Sequence, residues 1–223
     1  MTRGVRALVT GGTGRLGSAI AGRLEREGWT VLAAGRRDGD ISRPDEARGL
    51  VERAVRDLGG LDLLVHAAGN GFEAQPVEAV TEADWDAALG VTVKGTFFTT
   101  QAAARALRAA GGVVIVVEDV AAYEPWPSFA PHCAAKAAQA MLTRVFARAL
   151  APEVRVCGIA PGTVSVEAGQ EARRAAESLL GRVGDPEDVA GAVVYLAGAG
   201  FVTGSTLVVD GGRLLQTARP ANA

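Results

Sequence analysis

A single α/β domain is predicted, built as a doubly wound, mostly parallel sheet of seven strands with helices on both faces. Three observations predict it. Short, often β-branched apolar runs alternate with longer helical patterns from end to end. The short runs are apolar almost throughout, as strands covered on both faces are. No linker-like segment or internal repeat divides the 223 residues, a length that suits one domain.

The elements follow in order. Val5–Thr10 reads as a strand, and the turn Thr10–Gly17 leads into a helix at Leu16–Arg26. After the second strand, Thr30–Ala34, only Gly35–Arg43 precede a helix at Pro44–Leu58. That is too little chain for a crossover helix, so a short edge strand near Asp40-Ile41 is expected and the sheet is shortened there. Leu61–His66, Val113–Val117, Val154–Ile159 and Thr206–Val209 complete the strands. The helical stretches between them are Glu82–Ala110, expected to break near Leu89–Thr92, then Ser128–Leu150 and Pro186–Leu196. Residues 214–223 are expected to form a flexible tail.

Composition narrows the function classes. A hydrophobic fraction of 48% excludes disorder, and a net charge of −2 without a basic run argues against nucleic acid as a ligand. Two cysteines, Cys133 and Cys157, make neither a CxxC pair nor a disulfide framework, and the two histidines, His66 and His132, show no metal-ligand spacing. No leader pattern opens the chain, and no apolar run approaches the roughly 18 residues of a membrane span. A cytoplasmic protein with no membrane partner and no metal is expected. Positive charge comes from 21 arginines against only Lys94 and Lys136, so each lysine stands out.

Thr10-Gly11-Gly12-Thr13-Gly14-Arg15-Leu16-Gly17 joins the first strand to the first helix. Glycines let backbone approach a pyrophosphate, and the helix start presents unpaired N–H groups at the positive end of its dipole. A tight strand–helix turn is the other reading of glycines alone. Placed after the first strand, the turn points to a dinucleotide.

The turn resembles the TGxxxGxG of short-chain dehydrogenases/reductases, and further motifs follow in order. His66-Ala67-Ala68-Gly69 is similar to the family's NNAG, Lys94-Gly95 to NxKG, Pro161-Gly162 to its PG, and Asp210-Gly211-Gly212 to its DGG. The resemblance runs from residue 5 to residue 213 and implies a Rossmann fold with a nicotinamide cofactor. Arg15, in place of the middle glycine, is similar to the TGxxxRxG of the pteridine reductase and dihydromonapterin reductase branch. Thr143–Val154, Phe201–Gly204 and Asp210–Arg213 also resemble that branch. The cofactor contacts implied are Gly11, Thr13, Gly14, Arg15 and Leu16 at the turn, Asp40-Ile41 beside adenine, Ala67-Ala68-Gly69, and Pro161, Gly162 and Val164 near the nicotinamide. Val166 fills the slot where the family carries a threonine, with Thr163 and Ser165 nearby.

Gly35-Arg36-Arg37 ends the second strand. An acid there would bind the ribose 2′-OH of NAD, whereas arginine grips the 2′-phosphate of NADP in a charge-assisted way. NADP(H) is therefore expected, with Asp38 and Asp40 as competing acids and Arg15 facing the same region.

The family's catalytic tetrad is Asn, Ser, Tyr and Lys. The resemblance assigns Lys136 to the lysine, which lowers the tyrosine pKa and holds the ribose. It puts His132 at the tyrosine, Asp119 at the serine, and Thr92 at the asparagine that anchors a water chain. Asp119 has two readings: a proton supplier, as in pteridine reductases, or a cap on the turn after its strand. His132 also has two: an imidazole acid, or a tolerated substitution in a weakened site. Tyr123 either swings a phenol into the cleft or packs on Pro125, Trp126 and Phe129. His66 reads as a strand-end residue near the cofactor. Residues 165–180 read as a short charged flap over a small or open cleft.

Two functions remain open at this stage. One is an NADPH-dependent reductase of a C=O or C=N bond, leaning towards pteridine-like substrates, with Asp119, His132 and Lys136 as catalytic residues. The other is a catalytically silent NADP(H)-binding sensor or partner subunit. The resemblance also implies a homotetramer or homodimer packed through the helices at 94–110 and 128–150 and the last strand.

Overall fold

The computed structural model describes residues 4–71, 73–166 and 168–216. Its strands are β1 (Arg6–Thr10), β2 (Thr30–Ala34), β3 (Leu63–His66), β4 (Val113–Val117), β5 (Arg155–Pro161) and β6 (Thr206–Val209). They form one six-stranded sheet in the order β2-β1-β3-β4-β5-β6, and every pairing is parallel. The main helices are α1 (Arg15–Arg26), α2 (Pro44–Leu58), α3 (Glu82–Leu89), α4 (Thr96–Ala110), α5 (Ala130–Leu150), the short α6 (Glu171–Ala175), and α7 (Pro186–Gly198).

Alternation along the strands builds two cores. Leu8, Leu64, Val114 and Val116 face α2, α4 and α5, whereas Ala7, Val9, Leu63, Val65 and Ile115 face α1 and α7. A strand covered on both sides needs apolar residues at every position, which is why these runs are continuous rather than alternating. Leu8 and Leu64 are fully buried, each stabilising the fold by roughly 2 kcal/mol. Among the described residues no helix is long and apolar enough to cross a membrane.

Three expectations are adjusted. The edge strand near Asp40-Ile41 does not form, so the sheet has six strands. Arg36–Asp38 instead make a 3-10 turn, with Gly35 N donating to the Asp38 carboxylate at 2.8 Å. Asp40 N donates to Glu46 and Asp40 Oδ1 accepts from Ser42 N, so side chains take up backbone groups that a ladder would need. Ile41 is buried against Gly95, where any Cβ would come within 2.9 Å of it. The break in the third helical stretch is a π-helical turn, Gly90–Gly95, between α3 and α4. Within the expected tail, Leu214 N donates to Asp210 and Gln216 Nε2 donates to Ala176 O. Residues 217–223 lie outside the described residues.

Candidate active site

β2 and β3 lie on opposite sides of β1, so successive connections run in opposite directions and leave a crevice at the carboxyl ends of the strands. Such switch points are where open α/β sheets take ligands. Gly11 has φ +69°, and a Cβ there would lie 2.6 Å from Ala67 O, so the turn and the Ala67–Gly69 segment meet backbone to backbone. A Cβ at Gly17 would lie 2.1 Å from Gly11 O, and one at Gly35 would lie 2.4 Å from Thr13 Oγ1. The N-cap of α1 is Gly14, which has no capping side chain, and its first turn holds no acid. Those N–H groups are left for an anion.

Two connected pockets occupy the crevice. The first, about 220 Å³, is lined by Gly11, Thr13, Gly14, Arg36, Asp40, Ile41 and Ala67–Asn70. Arg36 Nη2 donates to Asn70 Oδ1 at 3.1 Å, so its guanidinium is held across this pocket. Arg15 and Arg37 are exposed and do not line it, so only one of the three arginines faces the cavity. The Asp40 carboxyl sits below its ordinary pKa because Ser42 hydrogen-bonds to it.

The second, a cleft of about 830 Å³, shares Ala67–Asn70 with the first. It adds Leu16, Glu118, Asp119, Trp126, His132, Lys136, Pro161–Val166, Arg174 and Arg213. Val164 is pinned by a bridge to Gly184, and Gly162 N donates to Val209 O. Ser165, Val166, Gln170 and Arg174, the last on α6, line its outer side, and at about 830 Å³ the cleft is open rather than small.

Asp119 lies two residues beyond β4 and caps the turn that follows it. Its Oδ1 accepts from Ala121 N at 2.8 Å, capping the next turn, while Oδ2 lies 3.3 Å from His132 Nε2. The His132 ring stacks on Trp126 at 11°, and the Arg213 guanidinium lies 5.0 Å from the Trp126 centroid on the same wall. Arg213 itself pairs with Glu124 and Glu177.

Lys136 is buried one helical turn beyond His132. Its Nζ donates to Val117 O at 3.0 Å and to Gln139 Oε1 at 2.9 Å. Burial lowers its pKa, while the charges of Asp119 and Glu118 oppose the shift. Thr92 sits in the π-helical turn, a distortion that recurs at functional sites. Its carbonyl accepts from Thr96 Oγ1 and from Gln139 Nε2.

Tyr123 does not reach into the cleft as one reading expected. Its phenol donates to Glu118 Oε2 at 3.2 Å, and the residue does not line the cleft. Glu118 is a buried acid that also accepts from Thr143 at 2.6 Å and Thr206 at 3.0 Å. His66 is buried at the strand end, its Nε2 2.8 Å from Thr100 Oγ1, and burial drives its pKa down to about 3. Among the described residues, no His/Cys/Asp/Glu group is arranged to hold a metal.

Glu118, Gln139, Trp126, Asn70 and Arg213 were not singled out from the sequence. Gln139 had a readable signal. His132, Lys136, Gln139 and Thr143 fall at spacings of four, three and four, placing polar groups along one face of an alanine-rich helix, and all four are buried.

Residues 33–213 match a family model described as enoyl-(acyl carrier protein) reductase. The chain is 36% identical to dehydrogenase/reductase SDR family member 4 of Sus scrofa, covering 92% of this chain and 86% of that protein. It is 34% identical to 3beta-hydroxysteroid dehydrogenase 1 of Eggerthella lenta, covering 96% and 95%. A short-chain type dehydrogenase/reductase from Mycobacterium marinum superposes with a TM-score of 0.89 at 30% identity, covering 96% of each chain. With that likeness running from the glycine turn through the lysine helix to the last strand, the chain belongs to the short-chain dehydrogenase/reductase family of oxidoreductases.

Proposed function

We propose that this chain is an NADPH-dependent reductase of a C=O or C=N bond, with pteridine-like compounds as the first substrate class. The observation that carries this reading is the Asp119–His132 pair beside buried Lys136, in a cleft that opens directly onto the glycine turn. The turn suits a dinucleotide, because Gly11, Gly17 and Gly35 let it pack against Ala67, Ala68 and Thr13 more closely than any side chain would allow, so its backbone is open to a pyrophosphate. Bound there, the nicotinamide supplies a hydride.

The chain's own residues do the rest. The start of α1, with Gly11, Thr13, Gly14 and Leu16, receives the pyrophosphate. Arg36 meets the 2′-phosphate, with Arg15 and Arg37 adding charge at the rim. Asp40 and Ile41 border the adenine, Ala67–Gly69 back the ribose, and Pro161, Gly162 and Val164 receive the carboxamide end. Protonated His132 delivers its proton to the substrate heteroatom, becomes neutral, and is recharged from solvent in the cleft. Asp119 orients the imidazole from 3.3 Å, while Lys136 supplies positive charge behind it.

One observation favours the silent binding protein instead. The chain has two tyrosines, and neither Tyr123 nor Tyr195 lines the cleft, so no phenol is available as the acid. The deciding experiment is NADPH oxidation, with NADH as control, against dihydropterins and small carbonyls from pH 5 to 8. Turnover that drops on Asp119→Asn and on His132→Tyr supports the reductase. Binding without turnover on any substrate, or a large gain with His132→Tyr, supports a silent or weakened site.

The same reading includes a homotetramer or homodimer in the cytoplasm. Exposed Met141 and Val145 on α5 and Leu207 and Val208 on the edge strand β6 supply apolar contact surface, and light scattering showing a monomer would refute the assembly. Two unpaired cysteines accord with a reducing compartment.

A further inference from the structure

We propose that Gln139 is a positioning residue that clamps Lys136 and closes the space between that lysine and the main chain of the π-helical turn. The side chain is fully buried on α5, and its amide is used at both ends. Oε1 accepts from Lys136 Nζ at 2.9 Å, while Nε2 donates to Thr96 Oγ1 at 2.9 Å and to Thr92 O at 3.3 Å. An ammonium has no lone pair, so the amide oxygen must face Lys136 and the orientation is fixed by chemistry.

The consequence lies at Thr92. Its carbonyl accepts both Thr96 Oγ1, at 2.6 Å, and Gln139 Nε2, so both lone pairs are spent on side chains. The main-chain carbonyl at the position where the family resemblance puts the water-anchoring asparagine is thus occupied by an amide. An amide holds a charge in place but does not pass protons along as water does. Lys136 then acts as a fixed charge held by Val117 O and Gln139, and the proton used in reduction arrives on the cleft side through His132. The charged and titratable groups facing Lys136 are Asp119 and Glu118 from the end of β4 and His132 from its own helix. The neighbours from the π-helical turn and α4, Thr92 and Thr96, are neutral.

The importance of Lys136 to catalysis rests on the reductase reading, but the clamp does not, and the test keeps them apart. Lys94 and Lys136 are the only lysines, so ¹³Cε-labelled lysine gives one signal per site, with exposed Lys94 as an internal reference. The full chain is titrated as wild type, Gln139→Leu and Gln139→Glu, each checked for folding by circular dichroism. Lys136 is expected to titrate below Lys94. It should move down by about one further unit in Gln139→Leu, roughly a tenfold larger dissociation constant, and move up in Gln139→Glu. If Gln139→Leu does not fold, the near-isosteric Gln139→Glu carries the test alone. Folded variants in which Lys136 titrates as in wild type overturn the clamp. Absence of NADPH turnover in wild type overturns only the reductase reading.

Discussion

His66 makes the stability of this protein acid-sensitive. The ring is buried at the end of β3, behind Ala67 and Ala68, and burial holds its pKa near 3, against 6.5 for an exposed imidazole. The unfolded chain therefore binds a proton that the folded chain refuses, and stability rises with pH across the window from about 3 to 6.5. From pH 7 to pH 5 the unfolded imidazole gains about 2 kcal/mol of protonation free energy, which is lost from folding. Below about pH 3 the loss levels off as the folded ring also takes a proton. Urea melts at pH 7, 6 and 5 measure this directly. The control is His66→Gln, which keeps a polar atom near Thr100 Oγ1 but does not titrate. Its pH slope should be shallower by about 2 kcal/mol over the same interval. The other histidine, His132, is present in both proteins and cancels. Equal slopes for the two proteins would sink the argument, because they would show that the buried ring is not the group refusing the proton.

Two further predictions concern the crevice. Arg36→Ala should weaken NADPH about tenfold, the lower end for losing a charge-assisted hydrogen bond at an exposed side chain, and leave NADH unchanged; fluorescence titration with both dinucleotides checks it, and an equal effect on both refutes phosphate recognition. Gly17→Ala puts a methyl where 2.1 Å separates it from Gly11 O, so the turn must open. Dinucleotide binding should be lost and the fold weakened by about 1–3 kcal/mol, measured by titration and thermal melting; normal binding would show that the turn tolerates a side chain.

The strands were legible because a buried parallel sheet leaves little freedom in residue choice. Val113–Val117, buried throughout, has no polar face to hide its nature. The segment between β2 and α2 misled because its outcome depends on side chains competing for the backbone. Asp38 and Glu46 take N–H groups that the length argument had assigned to a ladder. In the crevice, the glycine turn followed from a local motif, and the Asp119, His132 and Lys136 positions from the family resemblance. Glu118 and Tyr123 did not, because partners far along the chain decide what they do. Glu118 meets Thr143 and Thr206, which lie 25 and 88 residues away, and no local pattern announces a buried acid satisfied in that way. Once Glu118 is held there, Tyr123 has an acceptor in it.

Arg213 ties together three stretches of chain that lie far apart in sequence. Its guanidinium joins Glu124, in the loop before α5, to Glu177, beside the outer wall, from a position just past the last strand. A single cation shared in this way couples the two carboxylate-bearing segments in time. Both carboxylate-bearing segments thus share one cation, and added salt, which screens both pairs together, weakens the two contacts at once.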